Sequence, residues 1–417
     1  GLGSRFQGPG SRERALFPWN LAPGTWPLIC EIGEICGFSP LSRAQWGAML
    51  SKTSVWRYFD VWLLAAVLLL TAYGILMIRS AITGAPAFAT YPQQQLIWAI
   101  LGTIILLVVA AIDYRVLTSS HWYLYAGLVL LLVAVIVTGQ VNNDARRWIQ
   151  ITPSFQIQPS EFGRIFITVT FAQFLAQRRH LIGRFSNTLL SLAYFAMPVG
   201  LIFIQPNLGM TLLFMFIWFI MIWLAGLPLS HFMGLILMGL MVGVAVFPFL
   251  ADYQKDRVST FLNPESASDD DVFNVDQAEI SIGSGGLWGK GYLQGTQSQL
   301  GFLRAQHTDF IFSVITEEMG LVLGSALVLG LMGFILIRIL RAAARSPDPA
   351  GKLICGGIAA ILFFQTAVNV GMNVRLLPVA GLTLPFVSYG GSSLITLFLA
   401  IGVVESVLMR QRKQEFG

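Results

Sequence analysis

The chain has 417 residues, 55% of them hydrophobic and only 11% charged, with a mean hydropathy of +0.69. Soluble domains carry about 25% charged residues, so the composition excludes a soluble globular protein and indicates a polytopic membrane protein. The net charge of +5 fits basic loops beside apolar segments better than a nucleic-acid surface. Three cysteines, Cys30, Cys36 and Cys355, make no extracellular disulfide framework, and Cys355 sits in an apolar run as a small core residue.

Residues 1–48 lack a long apolar stretch and open on a Gly/Ser/Pro-rich segment, which reads as a leader of uncertain origin, either native or appended to the native chain. Met49 is a plausible start, and residues 49–417 are expected to form one transmembrane domain. A span needs about 20 apolar residues. Candidates fall near 60–80, 94–112, 120–138, 160–177, 187–204, 208–226, 229–250, 310–340, 352–372 and 385–409. The predicted fold class is therefore all-α, with about ten transmembrane helices. The fourth candidate is interrupted by Glu161, Arg164 and Gln173, and Pro206 and Gly209 break the fifth from the sixth.

Loop charges orient this arrangement. Lys52, Arg57, Arg115, Arg178, Arg179, Arg184, Arg338, Arg341, Arg345, Lys352 and the terminal "RQRK" all fall on one side, which places both termini in the cytoplasm. Two loops on the other side break the pattern. One is 139–159, with Arg146 and Arg147, which either neutralise Asp144 and lipid headgroups or serve a function. The second is the long extracytoplasmic loop 251–308 between the seventh and eighth spans. Its acidic stretch, 263–277, reads as solvated surface, and its Gly-rich stretch, 281–303, as a loop folded on the membrane surface around a substrate. The required Gly-Lys-Ser/Thr ending of a phosphate-binding loop is absent, as are GxGxxG and HExxH, and the four histidines form no plausible metal cluster.

Ionisable residues within spans are rare and usually face a cavity or a partner. Glu161 and Arg164 stand three apart on one helical face, where a local ion pair and a functional pair are both open readings. Glu317 and Glu318 lie two turns inside the eighth span, where they either line a cavity or are hydrogen-bonded within the bundle. Glu405 is expected near the cytoplasmic interface. Asp309, where the long loop becomes helix, could be an N-cap or a general base reachable from water.

Several motifs occur in a family order: "QIQPSEFGR" (156–164), "QPNLGMTL" (205–212), "DYQKDRVSTFLNPES" (252–266), "GSGGLWGKG" (283–291), "GTQSQLGFLRAQHTDFIFSVITEEMG" (295–320) and "LPFVSYGGSSL" (384–394). On these the chain resembles the SEDS family over roughly residues 55–412, and its RodA-like branch more than the FtsW branch. The resemblance implies a peptidoglycan glycosyltransferase of cell elongation, which polymerises lipid II at the outer face of the bacterial cytoplasmic membrane. Asp309, in the HTDFIF motif, would be the catalytic residue, and Glu161, in QPSE, a cavity residue. Position 164, commonly Lys in relatives, is Arg here, and 267–277 also departs from the family pattern. Transfer with inversion needs one base, and the departing diphosphate needs positive charge from among Arg146, Arg147, Arg257, Lys290 and Arg304, or from Mg²⁺ or Mn²⁺. Gln297, His307, Thr308 and Glu317, within the matched motifs, are expected to line the same cavity. The partners implied are a class B penicillin-binding protein, MreC, MreD and RodZ. A lipid II flippase, or a noncatalytic scaffold for a penicillin-binding protein, is the alternative.

Overall fold

The computed structural model describes residues 55–83, 88–142, 145–152, 155–250, 252–263 and 269–411. The chain divides into residues 1–57 and 58–417, and the second unit is the subject below. The leader 1–48, Met49 and Asp144 lie outside the described residues, as does the side chain of Arg146.

The bundle is built from α1 (Val61–Ala81), α2 (Tyr91–Ala111), α3 (His121–Thr138), α4 (Pro159–Gln177), α5 (Phe185–Ile204), α6 (Leu208–Leu224) and α7 (Leu229–Val246). After them come α8 (Asp252–Leu262), α9 (Asp269–Gly285), α10 (Ile311–Met319), α11 (Leu327–Arg345), α12 (Pro349–Asn373) and α13 (Gly391–Arg410). Side-chain caps start several of them. Asp60 accepts from Leu63 N at 3.1 Å, Asn207 accepts from Met210 N at 3.3 Å, and Asp348 ahead of Pro349 accepts from the amides of Ala350 and Gly351.

Seven helical segments are long and apolar enough to cross a membrane: 61–81, 91–111, 185–204, 229–249, 311–345, 349–373 and 391–410. The third and sixth expected spans are shorter apolar helices, and the fourth, α4, is more polar. This is an integral membrane protein. Its core lies along α12 and α13, whose most apolar stretches are 78% and 83% buried, whereas that of 229–249 is 0% buried. The last span starts at Gly391, since residues 384–390 form an irregular turn with Phe386 at φ 64°. Glu405 is fully buried in α13 and accepts from Asp60 N, while Arg338 pairs with the Asp60 carboxylate at 2.5 Å, joining α1, α11 and α13 at one end.

Two expectations are corrected. The fold is not all-α, because residues 140–157 form a three-stranded antiparallel sheet of β1 (Gln140–Asn142), β2 (Ala145–Thr152) and β3 (Phe155–Ile157), with Ile149 opposite Ile157. "WIQIT" is rich in aromatic and β-branched residues, which favour a strand. Nor is 251–308 a bare loop: it contains α8, α9 and a helical turn at Thr296–Gln299, and the acidic stretch continues from residue 269 as part of α9. Asp276 of α9 pairs with Arg375 at 2.7 Å.

The Gly-rich segment is held by the eighth span. It is pinned against a break in the eighth span, where α10 ends, Gly320–Ala326 is π-helical and α11 resumes. Lys290 N and Gly291 N donate to the carbonyls of Glu317 and Glu318, and Leu321 N and Val322 N donate to those of Gly286 and Leu287, at 2.9–3.1 Å. Gly289 and Gly320 both have positive φ, 80° and 73°, and a Cβ on either would collide with the other's backbone or its neighbour's. Irregular backbone at membrane depth persists only where protein satisfies its polar groups.

Candidate active site

Asp309 lies just ahead of α10, and the chain around it is held from three directions. Ala305, itself at φ 50°, accepts from the amides of Thr308, Asp309 and Phe310. Tyr389 N donates to the His307 carbonyl at 2.9 Å, and Ser388 Oγ donates to that of Thr308 at 2.7 Å. Two α12 amides, Asn369 Nδ2 and Asn373 Nδ2, donate to the Asp309 carbonyl at 3.1 and 3.0 Å. No side-chain hydrogen bond caps α10, whose N-cap is Phe310, so the carboxylate of Asp309 is not engaged as a helix cap.

Three cavities, of about 590, 220 and 200 Å³, share Asp309 in their walls. The first two also share Glu161, Trp148, Gln158 and Gly381. Glu161 pairs with Arg164 at 2.7 Å, and the fully buried Arg164 also donates to Ser393 Oγ at 3.4 Å. Arg164 lines none of the three cavities and reaches them only through Glu161 and Ser393. Arg257 donates to the Val379 carbonyl at 3.2 Å and lines the two smaller cavities. Arg147 donates to the carbonyls of Gln205 and Pro206, which fixes its position in the 220 Å³ cavity, and Arg304 lines the 200 Å³ one. His307 and Thr308 line the largest.

Protein crowds Asp309 closely, though its side chain keeps partial access to the cavities. Burial raises its pKa above the ordinary carboxylate value, and the nearby Arg257 guanidinium pulls it back down. Gly381 keeps the space beside them open: a Cβ there would lie 3.5 Å from Arg257 Nη1 and 4.0 Å from Asp309 Oδ2, and its φ of 66° favours glycine. Burial lowers the pKa of His307, favouring the neutral imidazole.

Lys290, Gln297 and Glu317 are not brought to Asp309. Glu317, fully buried, accepts from Lys290 Nζ at 2.8 Å, Gln297 N at 2.9 Å, Thr296 Oγ1 at 3.1 Å and Ser298 N at 3.3 Å. Glu318 accepts from Ser80 Oγ at 2.6 Å, Leu293 N at 3.2 Å and Gln299 Nε2 at 3.3 Å. Both carboxylates anchor the Gly-rich segment. Other site residues escaped the sequence reading: Asn369 and Asn373, Trp148, Gln158, Tyr91, Tyr389 and Gly381. The asparagines had a signal, two amides one turn apart in an apolar helix.

No three His, Cys, Asp or Glu side chains converge as a metal cage among the described residues. No step below runs through a metal ion.

Fold and site define a multi-pass membrane protein whose carboxylates and arginines meet in cavities at one end of the bundle. A family model described as Cell cycle protein, FtsW/RodA/SpoVE, matches residues 60–413, and the chain belongs to that family. It is 36% identical over 360 residues to the peptidoglycan glycosyltransferase MrdB of Escherichia coli K12, covering 86% of this chain and 96% of that protein. It is 31% identical over 371 residues to a probable peptidoglycan glycosyltransferase FtsW of Caulobacter vibrioides, covering 87% and 92%. Among solved structures, RodA of Thermus thermophilus matches with a TM-score of 0.64 and 31% identity over 85% of this chain and 98% of that one. A chain from a peptidoglycan synthase complex that coordinates polymerisation and crosslinking matches with a TM-score of 0.73 and 32% identity, over the same shares.

Proposed function

We propose that the chain is a peptidoglycan glycosyltransferase of cell elongation that polymerises lipid II into β-1,4 glycan, with Asp309 as general base. The observation that carries the assignment of the base is that three cavities share Asp309 in their walls. Asp309 takes the proton from the acceptor's 4-hydroxyl, and that oxygen bonds to the donor's anomeric carbon. The bond from this carbon to the diphosphate oxygen breaks, and its electron pair leaves with the lipid diphosphate. Attack opposite the leaving group turns the α-linkage into a β-linkage, as inversion requires. Arg257, Arg147 and Arg304 supply positive charge on the side where the diphosphate collects its own. Glu161, held by Arg164, keeps a second carboxylate in the wall.

In this reading α3, α4 and α6 cross the membrane with the seven longer segments, both termini are cytoplasmic, and the Asp309 cavities open to the outer face. A class B penicillin-binding protein crosslinks the product, and MreC, MreD and RodZ complete the assembly.

The test is lipid II polymerisation by the purified chain with a class B penicillin-binding protein, comparing wild type with Asp309→Asn. A general base contributes about 10²–10⁴-fold, so the variant should lose at least about 100-fold while its complex stays intact. Glycan made at the wild-type rate would overturn the assignment of the base. A vesicle assay showing lipid II translocation by both proteins, with no polymer from either, would favour a flippase instead.

A further inference from the structure

The cavities around Asp309 share part of their walls but differ in cations. The two smaller ones contain all the arginines of the site: Arg147 and Arg257 in one, Arg257 and Arg304 in the other. The 590 Å³ chamber has no Lys or Arg in its wall. It is lined by Tyr91, Trp98, Trp148 and Tyr389, by the amides of Gln94, Gln156 and Gln158, and by the two carboxylates.

Its aromatic side is organised as a platform. The Tyr91 and Tyr389 rings are parallel, 4.0 Å apart with an interplanar angle of 1°. His307 stands edge-on to both, at 63° and 62°, and Phe88 lies 5.1 Å from the His307 ring. Tyr389 Oη donates to Gln94 Oε1 at 2.5 Å, which fixes the ring's tilt. Burial pushes the Tyr389 pKa up to about 12, so the hydroxyl stays a donor. The Tyr389 amide donates to the His307 carbonyl, two residues from Asp309, so platform and base are fixed to one another through one short stretch of backbone.

The large chamber offers a diphosphate no cation in its wall, whereas Arg147 and Arg257 stand beside the same two carboxylates in the 220 Å³ cavity. A hexose suits the large chamber. The C–H faces of the ring lie on aromatic rings, and its hydroxyls and acetamido group find amide donors and acceptors. Resting on the proposed glycosyl transfer, we propose that the large chamber is the sugar subsite of the acceptor. Tyr91 and Tyr389 are its positioning residues, and the arginine-lined cavities take the donor's diphosphate. The acceptor's terminal N-acetylhexosamine then lies on the tyrosine platform with its 4-hydroxyl toward Asp309. The transfer step is the one written above.

The two roles can be titrated separately. A lipid-linked disaccharide whose 4-hydroxyl is capped by galactose can donate but cannot accept. Single transfer from this capped donor to an uncapped acceptor, whose anomeric diphosphate oxygen is replaced by a methylene group so that it cannot donate, is measured with the complete chain and its penicillin-binding partner. Tyr91→Leu and Tyr389→Leu should each raise the acceptor KM about tenfold, with the donor KM within about twofold of wild type. Tyr389→Phe keeps the ring and loses only the bond to Gln94, so its acceptor KM should rise by about threefold or less. Arg257→Gln should show the reverse split, raising the donor KM. A rise in donor KM alone, an equal rise in both, or no rise in the tyrosine variants would each overturn the proposal. If both leucine variants fail to assemble with the partner, an acceptor KM for Tyr389→Phe above that of wild type supports it, and an unchanged value overturns it. The underlying assignment of the base fails separately, if Asp309→Asn turns over at the wild-type rate at saturating donor and acceptor.

Discussion

Asn369, one turn before Asn373 in α12, donates its side-chain amide to the backbone carbonyl of Asp309 at 3.1 Å and to that of Leu382 at 2.8 Å. A single buried amide thus joins the segment carrying the carboxylate to the segment carrying Gly381. Asn373 adds a second bond to Asp309, while its own Oδ1 accepts from Ser313 Oγ at 2.6 Å.

Replacing Asn369 by Ala leaves the Leu382 carbonyl without this donor, at a cost of about 1–3 kcal/mol, and leaves the Asp309 carbonyl with Asn373 alone. Polymerisation should fall at least about tenfold, because small displacements of reacting groups are costly. Thermal unfolding and turnover are measured on the same sample. Wild-type turnover would show that the Asp309 carbonyl needs no such support.

Asp309 must be ionised to accept a proton. Its pKa is raised by burial and restrained by Arg257, so the acid limb of the rate profile should lie above the ordinary carboxylate value of 3.8. Arg257→Gln removes the restraining charge and should shift that limb to still higher pH. The same sign governs stability: the folded chain holds this proton more tightly than the unfolded one, and the favourable contribution disappears as pH rises through the raised pKa. Rate profiles of both proteins decide, and an Arg257→Gln limb displaced to lower pH would contradict the coupling.

Glu317 anchors the Gly-rich segment and touches none of the Asp309 cavities. Glu317→Ala removes the acceptor of Lys290 Nζ and of the Gln297 and Ser298 amides, and each backbone amide left unsatisfied costs about 1–3 kcal/mol. Lys290→Met should cost less, because Lys290 is 26% exposed and the backbone donors to Glu317 remain. The check is the order of midpoint temperatures, with Glu317→Ala lowest, together with activity per folded molecule. Folded Glu317→Ala that cannot turn over would restore the cavity role read from the sequence.

Gly381 separates Arg257 from Asp309 in a left-handed conformation. Gly381→Ala should cost about 1–2 kcal/mol of backbone strain, and its methyl group enters the space where donor and acceptor meet. The KM values of both substrates should rise together, in contrast to the split expected for the tyrosine platform. Steady-state kinetics on the two substrates separates the cases.

The membrane class and most of the helices were legible in the sequence, because burying some 20 apolar residues without charge leaves a pattern that needs no knowledge of neighbours. The Glu161–Arg164 pair was legible for the same reason, since i,i+3 spacing fixes proximity within a single helix. Motif resemblance singled out Asp309, while position alone left it between cap and base. Glu317 and Asp309 lie eight residues apart, each a carboxylate at the start of one span, and nothing local distinguishes their roles. The difference comes from elements distant in sequence. The turn at 290–298 folds back onto Glu317, whereas β2, α8 and the 379–382 segment leave space around Asp309. Hydropathy and helical period are properties of a segment and can be read from it. Which carboxylate is saturated with donors and which opens to a cavity depends on contacts between residues tens to hundreds of positions apart, and only the tertiary structure decides that.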